Sequence, residues 1–476
     1  MAGLFELYLD ALRMLTTLVA VVIFISSLDD LIIDVIAFTR HWYRRIVIFG
    51  LKGKRPLAED ALRQMPEKPI AVLVPAWQEA GVIERMLENA CRSYEYETYA
   101  IFVGIYRNDP NTRAAVETVA RQFPRIHVVE APRPGPTSKA DCLNALYAAA
   151  TAMKQTPPFE IFVLHDAEDV VHALELKIFN YLIPRKDMVQ LPVIALERPL
   201  GDFTGGHYMD EFAENHAKDL PVREWLMRTV PSAGVGCGFS RQALAAVARA
   251  RQHGPFNTQS LTEDYDLALT LKYLGFSQIF VRFAIARPQG ADIVATREYF
   301  PSDLSAACRQ KARWLLGIVF QSMAENGWRG PVRVKYALWR DRKGIVTALA
   351  AIFAYVIAAT WTAFALAFHL SRGRIEVPSL ADHGGLTWWL LILNALLLAD
   401  RSLHRAFFTA QIYGWRQGMV SMPRQVWGNI VNFLAALRAL RLFIRHKANG
   451  RPLGWDKTSH AFPDAQQLAE WRGGSP

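Results

Sequence analysis

Cysteine is scarce in this chain of 476 residues, and its four copies stand far apart. Cys91, Cys142, Cys237 and Cys308 show no paired spacing, which argues against a cysteine-based zinc site and against a disulfide framework. Reduced thiols fit a cytosolic location for the middle of the chain. The N-terminus also lacks a basic stretch and a small-residue cleavage site, so we expect no cleaved signal peptide.

Acidic residues are the minority charge, with 44 against 54 basic residues and a formal net charge of +10. Such a balance suits nucleic acid, anionic lipid or phosphate-bearing substrates. Placement decides between them, because the basic clusters flank apolar runs, as is typical of the cytoplasmic ends of membrane segments. Because they flank predicted membrane spans, we expect no nucleic-acid partner. The clusters are Arg40, Arg44, Arg45, Lys52, Lys54 and Arg55, and Arg329, Arg333, Lys335, Arg340, Arg342 and Lys343.

Long apolar runs lie near the two ends and predict a multi-pass membrane protein. The predicted spans are residues 12–28, Gly344–Leu370, which has no Asp, Glu, Lys or Arg, and the short run 386–399. Residues 424–445 have apolar positions at helical spacing with interleaved polar residues, which favours a helix on the membrane surface. After the first span, Asp29, Asp30 and Asp34 predict an interfacial turn; the alternative is that they face a polar path.

The apolar runs and the basic loops predict four segments and their orientation relative to the membrane. We expect a membrane helix with a basic segment at 1–68, a cytoplasmic domain at 69–343, two membrane helices at 344–400, and an interface helix with a C-terminal segment at 401–476. The N-terminus and the loop at 371–385 would lie outside.

The middle of the chain alternates strand and helix patterns, which predicts an α/β fold with a mainly parallel sheet covered on both faces. Ligands of such sheets bind beyond the carboxyl ends of the strands. The predicted strands are Ile70–Pro75, 101–106, 127–130 and 160–165, and the predicted helices are 82–91, 111–122 and 138–154.

Acidic residues follow the fourth strand, where Asp166, Glu168 and Asp169 stand close together. Carboxylates and phosphates are both oxygen ligands of hard divalent cations, so this cluster predicts a Mg²⁺ or Mn²⁺ site that holds a diphosphate. We expect Asp166 as the first ligand and either Glu168 or Asp169 as the second. The alternative is a solvated acidic loop.

Two more strand ends and one turn carry residues suited to a nucleotide. The first strand ends at Pro75 and is followed by Glu79, and Asp109 follows the second strand. Carboxylates accept hydrogen bonds from imide N–H groups and ribose hydroxyls. Lys139 lies at a turn before a helix, where its charge and the helix N–H groups suit phosphate. Each could alternatively be a surface residue.

Two later segments supply candidates for the reaction itself. Glu263 and Asp264 open a helix and predict a general base, with a helix-capping role as the alternative. Gln310, Arg313 and Trp314 share a helical face. Arg with Gln suits a diphosphate and Trp suits a sugar ring; a membrane-interface anchor is the alternative.

In this order the residues resemble the motifs of processive, membrane-embedded family 2 glycosyltransferases, the group of cellulose, hyaluronan and chitin synthases. The resemblance covers about residues 70–317 and implies a GT-A-type, Rossmann-like nucleotide-sugar-binding domain inserted between transmembrane helices. It implies inverting sugar transfer from a nucleotide-sugar donor to a glycan acceptor. An acceptor loop at 232–244, with Gly236, Cys237 and Gly238, is implied too; the alternative is a glycine-rich turn. The D-x-E at Asp166 departs from the commoner D-x-D, and three visible spans put a complete polymer channel in doubt.

By that resemblance each motif takes a role. Glu79 and Asp109 would bind the nucleotide, Asp166 with Glu168 the metal diphosphate, and the 310–314 segment the diphosphate and the acceptor end. Asp264 would be the base.

The segments LDDLIID, GPTSKADCLN, HDAEDVVH and GWDKTSHAFP resemble a narrower group of bacterial inner-membrane glycosyltransferases that make a surface polysaccharide used by phages. This implies a UDP-linked donor, with N-acetylmannosamine as a candidate sugar, and an outer-membrane export partner. Related synthases close a loop over the donor, a place that Trp455, Lys457 and Thr458 would take. Members often continue into a domain that binds cyclic di-GMP, for which we expect no room before Pro476.

Two other function classes fit parts of the pattern. A nucleotidyl or phosphoryl transferase uses a similar sheet, but the 310–314 segment and the flanking spans argue against it. A non-catalytic membrane scaffold or phage-receptor component is the other alternative, and the intact set of acids argues against it.

Overall fold

The computed structural model describes residues 2–54, 57–287, 290–372, 378–450 and 460–472. Its main element is a seven-stranded sheet in the order β3-β2-β1-β4-β7-β5-β8. The strands of this sheet are β1 (Ile70–Pro75), β2 (Tyr99–Ile105), β3 (Ile126–Glu130), β4 (Ile161–Leu164), β5 (Met188–Gln190), β7 (Cys237–Ser240) and β8 (Gln278–Phe280). Two short sheets pair β6 (Val193–Ala195) with β11 (Thr296–Glu298) and β9 (Ala284–Arg287) with β10 (Gly290–Ile293).

The sheet is mainly parallel, which confirms the prediction. β3, β2, β1 and β4 run parallel, with Val72 level with Ile101 and Val163. β7 is antiparallel to both β4 and β5. The β1 and β2 side chains are apolar and buried on both faces, as expected for parallel strands covered by helices.

Helices cover both faces of the sheet, and those after the first three strands match the predicted segments within a few residues. They are α2 (Glu59–Arg63), α3 (Ile83–Ser93), α4 (Pro110–Ala120), α5 (Lys139–Ala152), α6 (Glu175–Leu182), α7 (Phe203–Glu214), α8 (Leu220–Met227), α9 (Arg241–Arg251), α10 (Glu263–Tyr273), α11 (Leu304–Leu315) and α12 (Ser322–Asn326). Because β1 to β4 run parallel, their carboxyl ends meet at one edge, where the candidate site lies.

Long helices follow and precede this domain: α1 (Ala2–Tyr43), α13 (Val332–Arg342), α14 (Gly344–Leu370), α15 (Leu386–Tyr413) and α16 (Trp415–Asn449), with α17 (Ala465–Arg472) at the end. In the described part of the chain, three helices are long and apolar enough to cross a membrane: Val332–Leu370, Leu386–Tyr413 and Trp415–Asn449. The predicted span 12–28 lies within α1, which packs on α14 through Leu12, Val19 and Ile357.

Two of the segments predicted to contact the membrane belong to helices longer than expected. The run 386–399 continues as helix to Tyr413, because the charges that end the apolar run are paired: Arg405 Nε lies 3.1 Å from Glu214 Oε2 and Arg401 Nη1 lies 3.3 Å from Asp30 Oδ2. Residues 424–445 are part of α16, and their placement on the membrane surface stays a prediction.

The interfacial turn predicted after the first span is wrong, since α1 stays helical to Tyr43. The carboxylates that suggested a turn are paired instead. Lys343 Nζ lies 2.7 Å from Asp29 Oδ2 and 2.8 Å from Asp30 Oδ1, and Arg340 also contacts both. These ion pairs link α1 to the residues that precede α14.

A buried ion pair joins α16 to the sheet domain. Arg424 on α16 is fully buried, and its Nε and Nη2 lie 3.0 and 2.8 Å from the two carboxylate oxygens of Asp210 on α7. Gln417 accepts two more of its hydrogen bonds. A Cβ at Gly206 would lie 2.4 Å from Arg424 Nη1, so this side chain fills the space that glycine leaves.

We expect Asp210→Ala to lower the unfolding free energy by about 3–5 kcal/mol, because it leaves the Arg424 guanidinium buried without its counter-ion. The unfolding temperature of the purified protein in detergent measures this. Glu97→Ala is the matched control, since it removes a surface partner of Arg125 and should cost about 0–1 kcal/mol. Equal unfolding temperatures for the two variants would contradict a stabilising role for the buried pair.

Candidate functional site

The loops after β1 and β2 are tied together by Asp109. Its carboxylate accepts hydrogen bonds from the backbone N–H of Gln78 at 2.5 Å and of Thr112 at 3.3 Å, the latter as the N-cap of α4. The Glu79 N–H donates to Thr112 Oγ1 at 2.9 Å. Asp109 therefore has a structural task at the predicted nucleotide edge, and Glu79, directly beyond Pro75 and its turn, is held beside it.

Lys139 and Asp166 meet across the carboxyl ends of the strands. Lys139 Nζ lies 2.5 Å from Asp166 Oδ1, at the first turn of α5. Burial alone would lower the pKa of Lys139, but Asp166, Glu263 and Asp264 raise it overall. The charged amine of α5 thus lies among carboxylates from the turn after β4 and from α10, and the sequence spreads these four residues over more than a hundred positions.

Glu168 joins Glu79 and the C-terminal His460 in a second cluster. His460 Nδ1 lies 3.0 Å from Glu79 Oε1 and 3.2 Å from Glu168 Oε1. One ligand atom from each of the three residues lies within 4.8 Å of the others. Burial raises the pKa of Glu168 to about 8 against the effect of His460, with Asp166 and Glu79 raising it further.

Asp169 points away from that cluster, into the protein. It is fully buried, and its Oδ2 lies 2.7 Å from His165 Nδ1 and accepts the Asp166 N–H at 3.0 Å. The other ring nitrogen of His165 lies 2.5 Å from Glu175 Oε1. Asp169 therefore fixes the turn that carries Asp166 and Glu168. Of the two acids predicted as the second ligand, Glu168 is the better placed.

Glu263 and Asp264 begin α10 and, like Asp166, act on the charge of Lys139. A Cβ at Gly234 would lie 2.8 Å from Asp264 Oδ2 and 3.4 Å from Lys139 Nζ, so the loop backbone touches both groups. Gly234 also has a φ of +78°, which favours glycine. Burial and the neighbouring Asp264 raise the pKa of Glu263 to about 7, with Lys139 acting against them.

The glycine-rich segment at 232–244 is only partly at the site. Cys237 and Gly238 lie in the buried strand β7, where a Cβ at Gly238 would meet the ring of Phe179 at 2.6 Å. Gly236, with a φ of +55°, packs on Thr296. The residues that reach the cavity are Ser232, Ala233 and Val235. The part of the predicted acceptor loop that faces the cavity therefore lies upstream of Gly236.

A large cavity begins at these residues and extends between the long helices. Its volume is about 1120 Å³. Asp264 and Trp314 line the end at the sheet, and Val19, Trp361 and Asn394 of α1, α14 and α15 line the other end. Trp314 packs against Phe300 and Phe212, which fixes the ring in the cavity wall.

The other predicted members of the 310–314 segment do not line the cavity. The charge of Arg313 acts on Glu263 at the start of α10. Within the described residues, the buried Oε1 of Gln310 has no hydrogen-bond partner.

Glu298, at the end of β11, is a site residue that sequence reasoning missed. It lines the cavity, and burial together with Asp169, Glu168 and Asp166 raises its pKa. In the sequence Glu298 is an isolated acid in a short strand. The acids that lie near it in the fold stand about 130 residues earlier in the chain.

Carboxylates outnumber cations at this edge, which fits a divalent cation. Asp166, Glu168, Glu79 and Glu298 supply four carboxyl groups, against the cationic side chains of Lys139 and His460. Oxygen ligands in this number suit Mg²⁺ or Mn²⁺. Trp455, Lys457 and Thr458 lie outside the described residues, so the loop that would close over the donor stays a prediction.

The fold and site define a class, and sequence comparison agrees with it. Residues 66–317 match the family described as glycosyltransferase like family 2, and the chain belongs to this family of glycosyltransferases. Among curated proteins it is similar to bacteriophage adsorption protein B of Escherichia coli strain K12 and to bacteriophage N4 adsorption protein B of Escherichia coli O157:H7. Each is 41% identical over 96% of this chain. The chain spans 63% of the length of these relatives.

Among solved structures, the mannosyltransferase PcManGT from Pyrobaculum calidifontis, in complex with GDP-Man and Mn²⁺, has the same fold. It superposes with a TM-score of 0.50 at 18% identity and covers 89% of this chain and 99% of its own. The expected GT-A-type α/β fold is thereby confirmed.

Proposed function

We propose that this chain transfers a sugar from a metal-bound nucleotide sugar to a hydroxyl of a growing surface glycan, with inversion at the anomeric carbon. The observation that carries the proposal is the meeting of Asp166, Lys139 and Asp264, the last of which lines the cavity. The three groups come from the loop after β4, from α5 and from α10, and each has a charge that the reaction needs.

The donor would lie along the carboxyl ends of the strands. Glu79 and Asp109 flank the edge where the nucleoside fits, and Lys139 supplies positive charge for the diphosphate. Asp166 and Glu168 would hold Mg²⁺ or Mn²⁺, which, when bound, would stabilise the leaving nucleoside diphosphate. The mannosyltransferase of the same fold holds GDP-Man with Mn²⁺, which supports a nucleotide sugar with a divalent cation as the donor.

The transfer needs a single displacement. The acceptor hydroxyl oxygen would bond to the anomeric carbon, the bond from that carbon to the diphosphate would break, and Asp264 would take the hydroxyl proton. One displacement inverts the anomeric configuration. Arg313 and Gln310 would bind the diphosphate, and the cavity-wall ring of Trp314 would stack on the acceptor sugar.

The cavity gives the acceptor its path. It runs from Asp264 to residues of the long helices, so a glycan extended at its mouth would already lie between membrane segments. We infer a bacterial inner-membrane location with the sheet domain in the cytoplasm, because the basic clusters flank that domain. The similarity to phage adsorption proteins supports a surface glycan as the product, and such a glycan would need an outer-membrane export partner.

A donor panel tests the proposal. Purified protein in lipid nanodiscs, incubated with UDP-linked sugars including UDP-N-acetylmannosamine and with Mn²⁺ or Mg²⁺, should release nucleoside diphosphate and lengthen a glycan seen by mass spectrometry. Release of pyrophosphate instead would indicate nucleotidyl transfer. No turnover with any donor, from protein shown to be folded, would contradict an enzymatic role.

The buried His165 should set the metal affinity of this reaction. We expect His165→Gln to raise the Mn²⁺ concentration for half-maximal transfer by about 10–100-fold, the usual cost of losing an outer-shell partner. The reason is that Asp169 then loses the group that fixes the turn of Asp166 and Glu168. His127→Gln, on β3, is the control. An unchanged Mn²⁺ dependence in a folded His165→Gln protein would show that the turn needs no such support.

A further inference from the structure

Cationic side chains gather beside the end of α1, where this helix packs against the sheet domain. Arg40 Nη2 lies 4.0 Å from Glu224 Oε2 on α8. Burial raises the pKa of the Glu224 carboxyl group, and the charges of four side chains act against that rise: Arg40, Lys186, Arg44 and Arg228. Four positive charges therefore surround this one carboxylate.

Two more cations extend the group toward α10 and α13. Burial lowers the pKa of Lys272, near the end of α10, and the charges of Arg333 and Arg228 lower it further. Like charges this close repel one another, and an anion among them relieves the repulsion. We call the six cationic side chains the basic surface: Arg40, Arg44, Lys186, Arg228, Lys272 and Arg333.

Large apolar side chains lie next to the basic surface. One face of α1 packs on the protein, with Ile33 against Val222 of α8 and Ala337 of α13. Trp225 of α8 is exposed. Tryptophan side chains beside cations are typical of the headgroup level of a membrane. The other face of α1 is exposed and carries Ile32, Val35, Phe38 and Trp42 at helical spacing.

We propose that the basic surface binds the phosphodiester headgroups of anionic phospholipids, with the apolar face of α1 against their acyl chains. A phospholipid of this kind matches both features, since it carries its negative charge directly beside hydrocarbon. A soluble anion would match the cations alone and leave the apolar face uncovered. Lipid binding here is independent of the transfer reaction.

Half of the basic surface comes from outside the basic clusters of the sequence. Lys186 precedes β5, Arg228 directly follows α8, and Lys272 lies on α10, so all three belong to the sheet domain. The other three lie at the end of α1, directly after it, and on α13. A bound headgroup would thus contact both the sheet domain and the helices beside the membrane, and would hold them together.

Native mass spectrometry of the full chain in a neutral detergent tests the proposal. The chain receives equal amounts of phosphatidylglycerol and phosphatidylcholine with the same acyl chains. At low ionic strength it should retain phosphatidylglycerol in preference by at least roughly tenfold, since each cation near a lipid surface contributes a factor of about five. Arg44→Gln with Arg228→Gln should weaken phosphatidylglycerol binding about 25-fold by the same factor and leave phosphatidylcholine binding unchanged.

The matched control is Arg92→Gln with Arg121→Gln, which removes two exposed arginines at the ends of α3 and α4 and should bind both lipids like the native chain. Raising the ionic strength from about 0.05 to about 0.5 M should reduce the native preference, because salt screens exposed charges.

Three results would overturn the proposal. The first is equal retention of the two lipids by the native chain. The second is unchanged phosphatidylglycerol binding in a folded Arg44→Gln, Arg228→Gln protein. The third is displacement of the lipid by soluble glycerol phosphate at equal concentration, which would show a site for a free anion.

Discussion

Asp264→Asn should reduce sugar transfer by about 10²–10⁴-fold, the usual contribution of a general base. The amide keeps the size of the side chain and loses the ability to accept the acceptor proton. Donor binding should persist, because Asp166, Glu168 and Lys139 are unchanged. Steady-state release of nucleoside diphosphate, measured beside equilibrium binding of UDP, separates the two effects.

The matched control lies on the same helix. Asp266→Asn makes the same change one residue beyond Tyr265, where the carboxylate pairs with Arg251 and does not line the cavity. It should transfer sugar at a near-native rate. A native rate for Asp264→Asn would remove the base from the mechanism and favour a scaffold role for the chain.

The pH dependence of sugar transfer should also report on Asp264 as the general base. Burial raises the pKa of Asp264, Lys139 and the Tyr265 N–H act against that rise, and Asp166 adds to it. A base works only when it is unprotonated, so the rate should fall as the pH falls through this raised pKa.

Asp166→Asn should lower transfer by roughly 10²–10³-fold, comparable to losing one preorganised electrostatic contact to the transition state. The carboxylate is the partner of Lys139 at 2.5 Å and the most exposed acid of the metal turn, with 29% of its side chain accessible. Its removal takes a cation ligand away and leaves Lys139 without its nearest counter-ion.

A metal titration shows whether the transfer rate falls mainly because a cation ligand is lost or because Lys139 loses its counter-ion. If Asp166 is a ligand, the variant should need more Mn²⁺ for half-maximal rate, and added Mn²⁺ should recover part of the activity. Asp141→Asn, on the first turn of α5 beside Arg133, is the control. Native metal dependence in Asp166→Asn would place the cation elsewhere.

The sheet was predictable because its signals are local. Strands β1 to β4 are apolar runs separated by helices with caps such as Ser138 and Asp109, and both patterns are read within a dozen residues. β7 was not predictable, since Cys237 and Gly238 read as part of a glycine-rich turn until β4 and β5 pair with them from either side.

Membrane helices show the same limit. Arg401 and Arg405 end the apolar run that begins at Leu386, yet the helix continues, because carboxylates of α1 and α7 neutralise both charges. Asp29 and Asp30 predicted a turn because their charges were also counted as unpaired, whereas both are paired in the fold. Hydropathy counts each charge by itself, whereas the folded chain pairs it with an opposite charge.

The acids of the site were found from their positions after strands, but two members were beyond reach. Glu298 has no motif of its own, and His460 stands in the GWDKTSHAFP segment without a role assigned to it there; both join the cluster only through tertiary packing. His165 is the intermediate case: it begins the acidic motif, but its role depends on Glu175, whose position relative to the turn no spacing rule reveals.

A structure of the chain with Mn²⁺ and UDP, with the ion located by its anomalous scattering, tests the central claim most directly. We expect the ion to contact Asp166 or Glu168 and the diphosphate to lie within reach of Lys139, with Asp264 facing the vacant acceptor side. An ion bound away from these carboxylates, or a nucleotide outside the carboxyl edge of β1 to β4, would contradict metal-dependent sugar transfer at this site.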